Sequence, residues 1–371
     1  MSELFSPFQF RDLTVANRIA VSPMCQYVAV DGKAHDWHRV HLSTLALSGA
    51  GMLFIEATAV EPEGRITPGD LGLWDDGTEA ALRSALATVR SIHKVPVIIQ
   101  LSHAGRKASS RVPWEGGQQI PLSEGGWLTS APSAIPQIEH EAPPQALDAD
   151  GLERVRNAFV AAAKRAEALG VDGIELHWAH GYLMHEFMSP ISNQRTDQYG
   201  GCLENRIRFP LEVFEAVPAV FPAGKPVGVK VSATDWVEGG WDLDQTVVFA
   251  KELAKRGGDW ITVSSGGVSP KQKITIGPGY QVSFAEAIKR ESGLPTIAVG
   301  LITEPKQAEE TVAGGRADFV ALARGMLYDP RWGWHAAAEL GATIDAPPPS
   351  YWRAAPHGHG DLFRNTRYGA R

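Results

Sequence analysis

The sequence predicts a single (β/α)8 TIM barrel, and three observations carry that prediction. Eight short apolar runs recur along the chain, helical stretches separate them, and no dinucleotide-type glycine fingerprint follows any of them. The runs are NRIAVSPM (17–24), GMLFIEAT (51–58), VPVIIQLS (95–102), VDGIELHW (171–178), KPVGVKVS (225–232), DWITVSS (259–265), LPTIAVG (294–300) and ADFVALA (317–323). Each is rich in Val and Ile with little alternation, as strands buried on both faces of a parallel sheet are.

Residues 1–16 precede the first unit, and LFSPFQF with LTV reads as a small hairpin closing the barrel's bottom. Helices are expected at 38–48, 78–93, 150–169, 205–218, 244–256, 281–292 and 305–313, with another after 330. Gly49-Ala50-Gly51 precedes a strand, the wrong order for dinucleotide binding, and reads as a helix-to-strand turn. The helix from 150 has Asp150 as cap and Glu153 three residues on, a capping-box pattern. Leu152, Val155, Phe159, Ala162, Ala166 and Leu169 follow at helical spacing, and Gly170 ends it. Thr303 with Pro305 opens another helix. Residues 105–148 separate the third strand from its helix and hold six prolines and five glycines. A long loop leaving a strand's C-terminal end is expected to be an active-site lid. The barrel is therefore assigned to 1–346, and a Pro-rich C-terminal arm to 347–371.

Composition narrows the function classes. A net charge of −7, 44% hydrophobic and 21% charged residues describe a soluble globular protein, without the basic runs of a nucleic-acid binder. No apolar stretch approaches the roughly 18 residues that cross a bilayer, and MSELFSPFQF lacks the pattern of a signal peptide. Cys25 and Cys202 are too few for a disulfide framework or zinc cluster, so a reducing cytoplasm is expected. With 38 Gly, 11 Trp and 12 His, the chain suits the wrapping of a flat ligand.

Polar residues just past the strands converge on one rim. The first strand ends in Ser22-Pro23-Met24-Cys25-Gln26-Tyr27, the second in Glu56-Ala57-Thr58, and the third supplies Gln100 and His103. The fourth delivers His177, His180 and Tyr182, and the fifth carries Lys230. Gly300, Ala323, Arg324 and Gly325 follow the seventh and eighth strands, where barrels of this kind bind phosphate. Three chemistries compete. His177 and His180 as metal ligands lack a third ligand at compatible spacing. Lys230 in an apolar strand is suited to a Schiff base in an aldolase-like lyase. A flavin would use every rim residue at once, with Gln100 and Lys230 at its pyrimidine edge and the histidines above its ring.

Six motifs in order carry a resemblance across nearly the whole chain. They are SPMCQY (22–27), DWHRVHL (36–42), EATAV-x4-GRITPGDLGLW (56–74), QLSHAGRKA (100–108), HWAHGYLMHEFMSPISNQRTDQYGGCLENRIRF (177–209) and AVGLIT (298–303). The chain resembles Old Yellow Enzyme-type flavin ene-reductases of the xenobiotic-reductase or thermophilic-like subclass. That resemblance implies noncovalent FMN held by Ser22, Pro23, Met24, Cys25, Ala57, Gln100, Lys230, Gly300, Ala323 and Arg324, with Cys25 tuning its potential. It implies His177 and His180 as donors to the substrate's oxygen, Tyr182 as proton donor to the α-carbon, and Tyr27 lining the pocket. NADPH or NADH would reduce the flavin, and an α,β-unsaturated carbonyl or nitro compound would take the hydride from flavin N5. Arg353 in Tyr351-Trp352-Arg353 matches an arginine that reaches a neighbouring subunit, so a homodimer or homotetramer is expected.

Three departures from that pattern stand out. Lys230 replaces a common Arg and keeps the charge without the planar fork. Ala323 replaces a common Gly, and Trp178 occupies the variable place in H-x-x-H. His38 and His41 read as capping or packing residues, and Arg195-Thr196-Asp197 with Gly200-Gly201 as a structural loop.

Overall fold

The computed structural model describes residues 2–367. Eight parallel strands close into a barrel: β1 (Ile19–Val21), β2 (Met52–Ala59), β3 (Val97–Ser102), β4 (Gly173–Trp178), β5 (Val227–Ser232), β6 (Ile261–Ser264), β7 (Thr296–Ala298) and β8 (Phe319–Leu322). Seven lie within the apolar runs and β2 outruns its own by one residue, Ala59, while β8 pairs with β1 to close the ring. The helices are α1 (Asp36–Ala46), α2 (Asp76–Ile92), α3 (Ala149–Ala168), α4 (Leu183–Met188), α5 (Leu203–Arg206), α6 (Arg208–Ala216), α7 (Leu243–Lys255), α8 (Val282–Ser292), α9 (Pro305–Ala313), α10 (Arg324–Tyr328) and α11 (Trp332–Glu339).

Local chemistry shifts several boundaries. The cap of α3 is Asp148, whose carboxylate accepts from the Gly151 N–H at 2.8 Å. Asp150 lies inside the first turn, so Glu153 cannot close a capping box. The helix expected over 205–218 is interrupted at Ile207. Pro210 has no N–H for the Arg206 carbonyl and is accommodated only in the first turn of a new helix. Glu304, not Thr303, is the N-cap of α9, with Pro305 in its first turn.

The barrel's two ends differ in chemistry. At the N-terminal ends of the strands, Phe8–Phe10 pairs with Leu13–Val15 and forms the expected plug. The Phe10 ring lies 5.2 Å from Phe319 and 5.4 Å from Trp260, over Phe54, Ile98 and Ile297. Gly228 makes room there, since a Cβ on it would fall 2.1 Å from the Trp260 ring. The larger apolar cluster fills the layer between strands and helices. Trp178 points into that layer, onto Phe214 and Phe249, so it packs behind the barrel and does not narrow its mouth.

Residues 105–148 are not structureless. They contain short 3-10 turns at Gly105–Lys107, Pro113–Glu115 and Leu122–Glu124, and Ser130–Ala131 pairs in parallel with Gln145–Ala146. The C-terminal arm folds back on its own subunit. Ile344–Asp345 pairs with Phe363–Arg364, and Leu362 and Phe363 pack on Trp334. The arm's last four residues, 368–371, lie outside the described residues.

Gly228→Ala should destabilise the fold by about 1–3 kcal/mol, because the plug leaves no volume for a methyl group. Urea denaturation checks this, and an unchanged midpoint would sink the packing account.

Candidate active site

The site grows from the end of β4. Pleating sends Trp178 outward and His177 into the barrel. The chain then turns through two left-handed residues, His180 (φ 59°) and Gly181 (φ 76°), and so returns His180 and Tyr182 to the mouth. His180 Nδ1 lies 3.2 Å from His177 Nε2, and His180 Nε2 lies 2.8 Å from Ser264 Oγ. The Tyr182 ring centroid is 4.8 Å from that of His177. Burial pushes both imidazoles well below their ordinary range. The ammonium groups of Lys230 and Lys107 add to this, so the pair is neutral. Burial raises the Tyr182 phenol well above its ordinary value, with Cys25, Tyr27 and Asp70 adding to it. Tyr182 therefore carries its proton.

Below the histidines lies a buried polar layer. Gln100 donates to Glu175 Oε1 at 2.7 Å, while Trp260 Nε1 donates to Glu175 Oε2 at 3.2 Å and Thr262 donates to the same oxygen. Lys230 stands in register between His177 and Thr262. Its ammonium is buried and, among the described residues, donates to no acceptor; burial lowers its pKa while Glu175 opposes that shift. Sequence reasoning missed Glu175, although a carboxylate two residues before His177 in an apolar strand was a readable signal.

On the opposite side, Glu56 Oε2 accepts from the Gln26 N–H at 2.6 Å and fixes the loop that carries Cys25. His38 Nε2 lies 3.4 Å from Glu56 Oε1, and His38 Nδ1 accepts from the His35 N–H at 3.1 Å. His38 thus serves both as part of a helix cap and as a buried partner of Glu56. Burial raises the Cys25 thiol, with the charges of Asp70 and Glu56 reinforcing it. A bulge between Ile55 and Ala57 sets Ala57 opposite Gln100. Tyr27 (φ 57°) meets the Trp114 ring at 5.8 Å.

The β7 and β8 ends form a third side. Gly300 has φ 112°, and a Cβ there would lie 2.6 Å from Gln281 Nε2. Gln281, unforeseen from sequence, donates to Val299 O at 3.1 Å and accepts from Ser265 Oγ at 2.6 Å, tying β6 to β7. Ala323 has φ −103°, outside the left-handed region that would call for glycine. Arg324 is exposed and, among the described residues, unpaired.

Residues 105–148 cross this mouth. Lys107 Nζ donates to His180 O at 2.8 Å and to Gly267 O at 3.0 Å, and lies 5.3 Å from the Tyr182 ring centre. Arg106 donates to Ile135 O and Val268 O. Arg195 is structural: it holds Asp197, Pro132 O and Leu147 O. Arg353 is exposed, while Tyr351 packs on Trp334 and Arg331; among the described residues no contact links Arg353 to the histidine pair. Among the described residues, no cluster of three or more His, Cys, Asp or Glu could hold a metal ion.

The mouth therefore combines an acceptor-donor amide at Gln100, a buried free cation at Lys230, a glycine cradle at Gly300 and an exposed arginine at Arg324. That donor set fits a flat heterocycle bearing a phosphate. The profile of the NADH:flavin oxidoreductase / NADH oxidase family matches residues 3–342. An NADPH dehydrogenase of Geobacillus thermodenitrificans is 44% identical over 346 residues, covering 93% of this chain and 96% of the relative. Morphinone reductase superposes with a TM-score of 0.76 at 28% identity, over 94% of this chain and 92% of its own. An old yellow enzyme homologue from Zymomonas mobilis also gives 0.76, at 25% identity, over 93% and 95%.

Burial, with Glu56 adding to it, raises the Asp70 carboxyl from 3.8 to about 7. Folding therefore takes up a proton between those values, a contribution fully present below the unfolded pKa and lost as pH rises through the folded one. Asp70→Asn should lose less stability than the wild type between about pH 5 and about pH 7.5. Parallel urea midpoints for the two proteins would refute this.

Proposed function

The chain belongs to the NADH:flavin oxidoreductase / NADH oxidase family and is of Old Yellow Enzyme type; from that premise we propose that it is an ene-reductase. Its substrates would be small electrophilic alkenes, namely α,β-unsaturated carbonyl or nitro compounds, with NADPH or NADH as reductant. FMN is the family's cofactor and, when bound, supplies the hydride it has received from the nicotinamide. Membership in an oxidoreductase family sets aside a Schiff-base role for Lys230.

One observation carries the reading: His177, His180 and Tyr182 converge at the barrel mouth above the buried Lys230. His177 Nε2 and His180 Nδ1 hydrogen-bond to each other at 3.2 Å, and a substrate oxygen taking the place of that bond would meet both rings. Each donor to a developing enolate is worth about 3 kcal/mol. Tyr182 would then deliver its proton to the α-carbon. Gln100 and Lys230 would take the flavin's pyrimidine edge, and the Lys230 cation favours the negative charge gained on reduction. Ser22, Pro23, Met24 and Ala57 would line one side of the ring, where the protonated Cys25 thiol would tune the potential. Gly300, Ala323 and Arg324 would hold the phosphate. Tyr27 and the 105–148 lid would close the pocket.

No helix among the described residues is long and apolar enough to cross a membrane. A reducing cytoplasm suits two free cysteines. Arg353, exposed beside the interface-suited Tyr351, would serve a neighbouring subunit's pocket in a homodimer or homotetramer.

The His177→Ala, His180→Ala double variant should keep releasable FMN but lose most of the oxidative half-reaction with cyclohexenone, followed by stopped-flow absorbance. An unchanged rate would refute the assigned donors. Lys230→Arg should retain flavin and activity, whereas Lys230→Met should slow flavin reduction by NADPH; wild-type reduction in the Met variant would remove Lys230 from the flavin site. Mixing the double variant with Arg353→Ala under subunit exchange should restore part of the activity if the arginine acts in trans. No recovery despite proven exchange defeats that role.

A further inference from the structure

Two consecutive left-handed residues, one of them a histidine, are costly and persist only where the surroundings over-determine them. Three buried contacts hold the His180–Gly181 turn. Ser232 Oγ accepts from the His180 N–H at 2.9 Å, Lys107 donates to His180 O at 2.8 Å, and the Gly181 N–H donates to His185 Nδ1 at 2.8 Å. Only the third depends on a proton's location. For His185 Nδ1 to accept, the imidazole must carry its proton on Nε2. That nitrogen faces Asp235 Oδ1 at 2.9 Å, and both side chains are fully buried. Asp235 Oδ2 is committed in turn, accepting from Ser189 Oγ at 2.6 Å and from the Trp241 N–H at 2.7 Å.

The geometry points to Asp235 and His185 as positioning residues for the catalytic turn: the carboxylate fixes the imidazole tautomer, and the imidazole holds the Gly181 amide between His180 and Tyr182. The inference rests on the roles assigned above to those two residues. Burial raises the Asp235 carboxyl, but His185, Ser189 and the Trp241 amide outweigh it and hold Asp235 below the usual range, as an anion. The chain of contacts makes an isosteric change informative. In Asp235→Asn the amide oxygen must face Ser189 and Trp241, which both donate. The amide NH2 then faces His185 Nε2 and forces the proton onto Nδ1. Two donors, His185 Nδ1–H and Gly181 N–H, would meet where one hydrogen bond stood. His185→Asn instead offers a side-chain carbonyl near the Nδ1 position and restores an acceptor.

The test uses FMN-loaded wild type, Asp235→Asn and His185→Asn. Nitrogen-15 histidine spectra of the resting enzyme read the tautomer without substrate. Asp235→Asn should move His185 from Nε2–H to Nδ1–H. It should also slow reoxidation of the reduced enzyme by cyclohexenone roughly 10- to 100-fold, the loss expected from misplaced reacting groups. FMN content and reoxidation by ferricyanide, which needs neither histidine nor tyrosine, should match the wild type. His185→Asn should recover most of the cyclohexenone rate. An unmoved tautomer, or a wild-type cyclohexenone rate in Asp235→Asn, overturns the inference. Equal losses in FMN content and ferricyanide reoxidation also overturn it, because they mark a merely structural role. A wild-type enzyme inert toward cyclohexenone would sink the ene-reductase reading alone, leaving the tautomer shift as the measure of positioning.

Discussion

A carboxylate in the middle of a β-barrel is tolerable only when its oxygens are occupied, and Glu175 meets that condition with Gln100, Trp260 and Thr262. Those partners come from β3 and the start of β6, so the carboxylate on β4 is satisfied only once strands on both sides of it are in place. The layer then has two neighbours of opposite character. Beneath it, the Phe10, Trp260 and Phe319 rings seal the barrel against water. Above it, Lys230 and the histidines face the open end. Lys230 can remain buried because Glu175 supplies counter-charge from one side, while its own protons stay available to a ligand.

That arrangement divides the mouth electrostatically. Lys230 and Lys107 lie on the histidine side, where burial keeps both imidazoles neutral and the two ammonium charges reinforce it. Glu56 and Asp70 lie on the Cys25 side, where burial and negative charge keep the thiol, and with it the Tyr27 and Tyr182 phenols, protonated. The histidine pair, the thiol and the two phenols are thus held in their neutral forms. Hydride chemistry benefits from such a set, since charge arises only as the reaction proceeds and the donors are already oriented.

The loop over the mouth belongs to the same construction. Lys107 grips the His180 and Gly267 carbonyls, and burial lowers it to about 8 against the pull of Glu186. The loop is therefore attached through the backbone of a catalytic turn, and Asp235 with His185 supports that turn from beneath. Loop and turn meet at Gly267, whose carbonyl accepts from Lys107 and where a Cβ would strike the His180 backbone at 2.5 Å.

The sequence by itself determined the barrel, its eight strands and most of the rim, because period, turn residues and strand ends are local properties. His177, His180, Tyr182, Gln100 and Lys230 were legible as polar residues within or just past an apolar strand. Gln281, His185 and Asp235 were not, because their meaning lies in partners 18, 50 and 46 residues away. The cap of α3 was expected at Asp150 and lies at Asp148, because several acidic residues stood close enough to compete and only the backbone angle selects one. The arm's course was likewise undecided by its prolines: Trp334 and Phe363 turn it back, at 5.0 Å between rings. Tertiary structure alone decided the protonation states, since burial and charge at a given atom exist only after the ring has closed.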